Sequence, residues 1–181
     1  NIKDILIIVK PSDQHSFKSL LGNGKSFGIK ITYATQNKPK GLPDAFILGK
    51  KFIKNSSVAL ILGDNFFHGQ SLVELLSNTS LKFRSGANIF SYNVKNPQDY
   101  GVIETLKNNI KITEKPKKTK SKKAITGLYF FDRDVSKFSK KLKYSKRGEL
   151  EIVDLLKVYL KSKKLLITEL GRGSVWLDTG T

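Results

Sequence analysis

Cysteine is absent from the 181-residue chain, which excludes disulfides, thiolate metal sites and a cysteine nucleophile. Only His15 and His68 could offer imidazole, and neither has a partner at metal-ligand spacing, so a zinc centre is not expected. No apolar run approaches the ~18 residues needed to cross a bilayer, and Asn1-Ile2-Lys3-Asp4 begins no basic-then-apolar leader. A cytoplasmic protein with no membrane partner is expected. No glycine-rich P-loop and no dinucleotide-type glycine motif follows a strand pattern, so a bound nucleotide must be held in another way. Arginine is scarce as well. Arg84, Arg133, Arg147 and Arg172 are the only ones, and lysine supplies nearly all of the formal +18 charge. Nucleic-acid recognition usually draws on arginine's planar fork. The lysine bias therefore fits a solvated surface, with a basic nucleic-acid-binding domain as a distant alternative. Methionine is missing too, and a strand pattern begins almost at once, so a piece cut at both ends of a longer protein is expected.

The length and 39% hydrophobic content suit one domain with a sizeable core. Asp4 to Lys10 and Val58 to Asp64 are continuous apolar runs, the pattern of strands buried on both faces. Ser12 and Asp13 offer N-cap oxygens to a helix carrying Phe17, Leu20 and Leu21, with Gly22-Asn23-Gly24 as its stop. Ile29, Ile31 and Tyr33 alternate as a strand, and Pro43 introduces a helix over DAFILGKKF. Leu72, Leu75 and Leu76 mark another helix, and ANIFSYNV a further strand. This alternation predicts an α/β fold with helices on both faces of the sheet. Gly101 to Thr105 and Asn109 to Thr113 form a hairpin around Lys107-Asn108-Asn109. Lysine-dense Lys115 to Lys123 is a solvated loop, and ITGLYFFD returns to strand. Asp134 to Leu142 is read as a short helix, and Arg147-Gly148-Glu149-Leu150-Glu151 as the opening of the helix that carries Leu150, Val153, Leu156 and Leu160. Two strands, Leu165 to Leu170 and Ser174 to Leu177, close the chain.

Ligands of open α/β sheets bind beyond the carboxyl ends of strands, which draws attention to Asp64 after LILG and Asp178 after VWL. Either is explained by a functional carboxylate or by an Asx turn bonding a nearby amide. Two carboxylates from separate strands could hold one Mg²⁺, which keeps water and phosphate in its other positions. Lys115 could bind a phosphate as a point charge beside Glu114, or simply begin the lysine-rich loop. Arg147 could meet an anionic substrate or pair with Glu151 at i, i+4. Tyr100-Gly101 could lie against a ligand or form a turn.

Taken in order, LGDNFFHG, YGVIE, TEKP, ITGLYFFD, RGELEIVD and WLDTGT resemble the sugar nucleotidylyltransferases, and RGELE followed by WLDTGT most resembles their glucose-1-phosphate thymidylyltransferase branch. The resemblance covers nearly the whole chain. It implies a single Rossmann-like α/β domain over 1–181, with a mixed, mostly parallel sheet flanked by helices and a small β insertion at about 95–125. It also implies Mg²⁺-dependent conversion of dTTP and glucose 1-phosphate to dTDP-glucose and pyrophosphate, in a homo-oligomer serving dTDP-rhamnose synthesis. A uridylyltransferase using UTP is the near alternative.

On the matching positions the resemblance makes Asp64 and Asp178 the metal ligands, Lys115 the holder of the sugar phosphate and Glu114 the acceptor of sugar hydroxyls. Tyr100 and Gly101 become the strip over the glucose ring. Gln36, Gly41 and Leu42 become the base-reading segment, and Asn65 and Arg147 further substrate contacts. GLPDAF stands where the family tends to GLAQAF, so Pro43 and Asp44 bear on base selectivity. The family's glycine-rich triphosphate loop is not in this sequence, which implies a piece inactive by itself.

Overall fold

A computed structural model describes residues 2–107 and 109–180. Asn1, Asn108 of the hairpin turn and Thr181 of WLDTGT lie outside the described residues. The elements run β1 (Asp4–Val9), α1 (Gln14–Leu21), β2 (Lys30–Thr35), α2 (Asp44–Leu48), α3 (Lys50–Ile53), β3 (Val58–Ile61), β4 (Asn65–Gly69) and α4 (Leu72–Lys82). They continue with β5 (Ala87–Asn93), β6 (Gly101–Leu106), β7 (Asn109–Glu114), β8 (Lys123–Phe131), α5 (Val135–Ser139), α6 (Ile152–Lys161), β9 (Leu165–Glu169) and β10 (Ser174–Asp178). No helix among the described residues is long and apolar enough to cross a membrane.

The chain divides into two compact units, one of residues 1–54 and 135–152, the other of 55–134 and 153–181. In the first, β1 and β2 pair in parallel from Asp4 opposite Lys30 to Val9 opposite Thr35. The Tyr33 hydroxyl donates to the Gly22 carbonyl at 2.7 Å, tying β2 to the end of α1. Ser136 Oγ donates to the Phe46 carbonyl at 2.8 Å, so α5 is bonded to α2. Both Ser136 and Phe46 are buried, and a buried hydroxyl needs such a partner.

The second unit is built around β8. Its apolar run is buried on both sides from Ala124 to Phe131, as a continuous hydrophobic stretch requires of a central strand. The six-stranded sheet runs β7-β6-β8-β5-β9, with β3 also paired to β8. β5 and β9 are parallel, whereas β3, β5 and β6 each meet β8 antiparallel. β4 and β10 make a separate antiparallel ribbon, with Asp178 opposite Asn65. One core gathers Leu72, Phe90, Leu128, Phe130, Leu170 and Trp176.

Four local expectations are corrected. The helix after Pro11 lacks a side-chain cap at Asp13; Ser12 Oγ instead donates to Asp13 Oδ1 at 2.8 Å. The DAFILGKKF helix is divided at Gly49. Arg147 to Glu151 precedes its helix rather than opening it, because Gly148 adopts φ +76° and the Leu150 N–H donates to the Lys40 carbonyl at 2.8 Å. That tertiary bond takes a backbone donor which a helix would otherwise use. β3, expected to be buried on both faces, ends in an exposed Ile61. β4 is not apparent in the sequence, because NFFHG shows its in-out alternation only beside β10.

Candidate active site

Asp64 leaves the turn after β3, where the Asn65 N–H donates to the Leu62 carbonyl at 3.2 Å. β10 returns beside it, and the Thr179 N–H and hydroxyl both donate to the Asp64 carbonyl, at 2.9 and 2.8 Å. The Asp64 and Asp178 side chains converge there. A methyl group on Gly180 would lie 2.6 Å from Asp64 Oδ2 and 3.3 Å from Asp178 Oδ1, so glycine alone leaves the space between the carboxylates open. The Asx turn is found at Asp178, whose Oδ1 accepts the Gly180 N–H at 2.9 Å. Gly63 also opens onto free space.

Among the described residues no three histidine, cysteine or acidic side chains gather as a metal cage. Two hard carboxylates around an open gap fit Mg²⁺, which binds through one or two acids and keeps its remaining positions for water and phosphate. They do not fit a structural zinc site, which needs four protein ligands.

The open end of the β6–β7 hairpin supplies the next group. Gly101 pairs with Glu114, and the Lys115 N–H donates to the Tyr100 carbonyl at 3.0 Å. Lys115 is held at φ +38°, a region costly for a side chain with a Cβ. Lys54, Lys107 and Lys163 share that conformation, so it is the bond to Tyr100 that distinguishes Lys115. A Cβ on Gly101 would meet Val153 at 3.1 Å and Ile125 at 3.3 Å, which explains the glycine. Burial, followed by the charge of Glu114, pushes the pKa of the Tyr129 hydroxyl well above the ordinary tyrosine range. Tyr129 therefore stays neutral near the Glu114 carboxylate.

Trp176 joins these pieces. Its ring meets Tyr100 edge-on at 5.1 Å and Tyr92 at 6.1 Å, while its Nε1–H donates to Asn65 Oδ1 at 2.6 Å. Asp64, Asn65, Asp178, Tyr100, Gly101, Glu114 and Lys115 thus belong to one unit. The lysine-rich loop is partly pinned there: Ser121 Oγ donates to the Ile103 carbonyl at 2.5 Å and Thr119 Oγ1 to Glu104 Oε1 at 2.9 Å.

Gln36, Gly41, Leu42 and Arg147 belong to the other unit. Gln36 Nε2 donates to Asp44 Oδ2 at 2.8 Å. Because a carboxylate only accepts, this leaves the Gln36 carbonyl oxygen as the amide's outward acceptor. Sequence reasoning missed that role for Asp44. Gly41, at φ +91°, lies so close to the Leu150 backbone that any side chain would collide with it. Arg147 is in its bland arrangement, a bidentate pair with Glu151 at 3.2 and 2.6 Å.

All 181 residues match the family described as nucleotidyl transferase. The chain belongs to that family. It is 51% identical over 182 residues to the glucose-1-phosphate thymidylyltransferase of Neisseria meningitidis serogroup A, covering 99% of this chain and 63% of that protein. It is 45% identical to the glucose-1-phosphate thymidylyltransferase of Mycolicibacterium smegmatis, covering 99% of this chain and 62% of that one. The chain therefore spans less than two thirds of the length of these curated relatives. A Bacillus anthracis protein assigned as a glucose-1-phosphate thymidylyltransferase and solved with sucrose superposes with a TM-score of 0.86 at 37% identity, over 99% of this chain and 72% of that one. A UDP-glucose pyrophosphorylase solved with UDP-glucose reaches 0.80 at 20% identity, over 99% and 76% of the two chains. That likeness is one of fold. This chain shares the mixed α/β nucleotidyltransferase fold with both solved structures.

Proposed function

We propose that the protein carrying this sequence transfers a thymidylyl group from dTTP to glucose 1-phosphate, yielding dTDP-glucose and pyrophosphate. The observation that carries the reading is the juxtaposition of two carboxylates around an open gap with a hairpin end bearing Lys115, Glu114 and Tyr100. The names of its relatives support the same substrates. A phosphate oxygen of the sugar attacks the α-phosphorus; that P–O bond forms as the bond to the β,γ-pyrophosphate breaks. The proton balance is simple because the attacking oxygen is already anionic, so no general base is needed.

Aligning two polyanions and offsetting the charge on the phosphates is the main task. In this reading Lys115 holds the sugar phosphate, and its bond to the Tyr100 carbonyl fixes the chain from which it projects. Glu114 accepts from sugar hydroxyls, while Tyr100 and Gly101 flank the ring. Gln36 offers its carbonyl oxygen to the imide N–H of the pyrimidine, beside Gly41 and Leu42. Asn65 lines the metal end, and Arg147 serves as a further anion contact. Asp64 and Asp178 would hold a Mg²⁺, which supplies Lewis-acid stabilisation of phosphate charge when bound. We further assign the protein a single nucleotidyltransferase domain with an insertion over about 95–125. It works as a cytoplasmic homo-oligomer without nucleic-acid or membrane partners.

The test, made on the complete protein that carries this sequence, is pyrophosphate release from glucose 1-phosphate with dTTP or UTP. The reading expects turnover with dTTP, and a fall of about 10²- to 10³-fold in kcat for Asp64→Asn or Lys115→Ala, the range for removing one charge-stabilising group. Near-normal turnover in either variant refutes these roles. A preference for UTP would reassign the base.

A further inference from the structure

The side chain of Asn65 is committed to the protein itself. Its Oδ1 accepts the Gly127 N–H at 2.9 Å and the Trp176 Nε1–H at 2.6 Å, which fills both lone pairs. Its Nδ2 donates to Asp64 Oδ1 at 2.8 Å. The first two partners can only donate and a carboxylate can only accept, so the amide has one workable orientation. Gly127 sits in the middle of buried β8, where glycine weakens a strand and commonly marks a close approach. A Cβ there would overlap Asn65 Oδ1. The glycine is what admits the side chain of β4 to the backbone of β8.

We propose that Asn65 is a positioning residue tying the Asp64 carboxylate to the Trp176 indole, so that the carboxylate pair and the Trp176–Tyr100 wall respond together to a divalent cation. The inference rests on the cation reading of Asp64 and Asp178. The amide is a rigid plane with the carboxylate at its nitrogen and the indole at its oxygen. A carboxylate drawn toward a cation pulls Nδ2, and both the position and the polarisation of Oδ1 follow. Trp176 is buried and edge-on to Tyr100, so a change at the indole is passed to the ring beside the hairpin end. This gives Asn65 a task other than substrate contact.

Protein labelled with [¹⁵N]tryptophan shows the Trp176 indole N–H as the cross-peak lost in Trp176→Phe. Cation binding is followed separately by Mn²⁺ electron paramagnetic resonance, and Mg²⁺ serves for the indole titration. A saturable shift of the indole peak is expected in the wild type, with loss of most of that shift in Asn65→Ala while Mn²⁺ still binds. Asn65→Asp keeps both acceptor bonds. It loses the Nδ2–H donor to Asp64, however, so it should fold, keep the indole hydrogen-bonded and lose most of the response, which keeps the proposal testable if the alanine variant fails to fold. An equal shift in Asn65→Ala or in Asn65→Asp, or a bound cation with a silent indole in the wild type, overturns the proposal. Wild-type protein that binds no Mn²⁺ overturns the cation reading together with it. Failed pyrophosphate release bears on the nucleotidyl-transfer reading alone, since no arm here measures turnover.

Discussion

Asp132 is almost fully buried at the end of β8, and three donors surround its carboxylate. The Gly86 N–H donates to Oδ2 at 2.6 Å, and the Tyr159 hydroxyl and Asp134 N–H donate to Oδ1 at 2.9 and 3.1 Å. Tyr159 is itself buried, and desolvation followed by the Asp132 bond drives its pKa well above the ordinary tyrosine range. The hydroxyl therefore remains a donor at any working pH. Asp132→Ala strands two buried donors, from Gly86 and Tyr159, at a cost of roughly 2–6 kcal/mol. That is a large part of the ~5–15 kcal/mol that holds a domain folded. Tyr159→Phe removes one bond to a charged acceptor and should cost about 1.5–3 kcal/mol. Because the two variants break a shared bond, the double variant should lose less than the two losses taken together. Urea unfolding followed by tryptophan fluorescence measures this, since Trp176 is the only tryptophan and lies in the same unit as Asp132 and Tyr159. A loss under about 1 kcal/mol for Asp132→Ala, the size of an average substitution, or strictly additive variants would refute the argument.

Gly41→Ala should destabilise the chain by more than about 1 kcal/mol, because φ is +91° and the new Cβ would strike the Leu150 backbone; unfolding followed by far-ultraviolet circular dichroism checks it. Asp44→Ala frees the Gln36 amide to turn, and the KM for dTTP should rise roughly tenfold, as expected for one hydrogen bond, with kcat little changed. An unchanged KM would mean that the amide does not read the base. Glu169 is held below the usual carboxylate range chiefly by its bond from Lys123 at 2.6 Å, opposed by its slight desolvation and helped by the Lys123 charge and a bond from Asn93. A depressed carboxylate contributes stability that is present above its unfolded pKa and lost as pH falls through the folded one. Both partners are substantially exposed, so the melting-temperature difference between wild type and Glu169→Gln should be small, shrink on acidification and fade with added salt. A difference that grows in acid would contradict the pairing.

Local pattern and composition settled much of this protein. The continuous apolar run of β8 could bury itself only as a central strand, the β6–β7 hairpin is written in two short alternating segments, and ordered motifs place Asp64, Lys115 and Asp178 at element ends. Each of those signals lies within a few consecutive residues. What the tertiary structure decided depends on partners far apart in the chain. NFFHG became β4 only because β10 returns beside it, and Arg147 to Glu151 left the helix because Lys40 took the Leu150 amide. The tasks of Asn65, Gly127 and Trp176 arise from hydrogen bonds spanning 62 and 111 residues. Gly127 did leave one trace in the sequence, a glycine inside an apolar run, where a side chain from elsewhere needs room. Hydrogen-bond partners at such separations are fixed by chain topology, and no local periodicity encodes them.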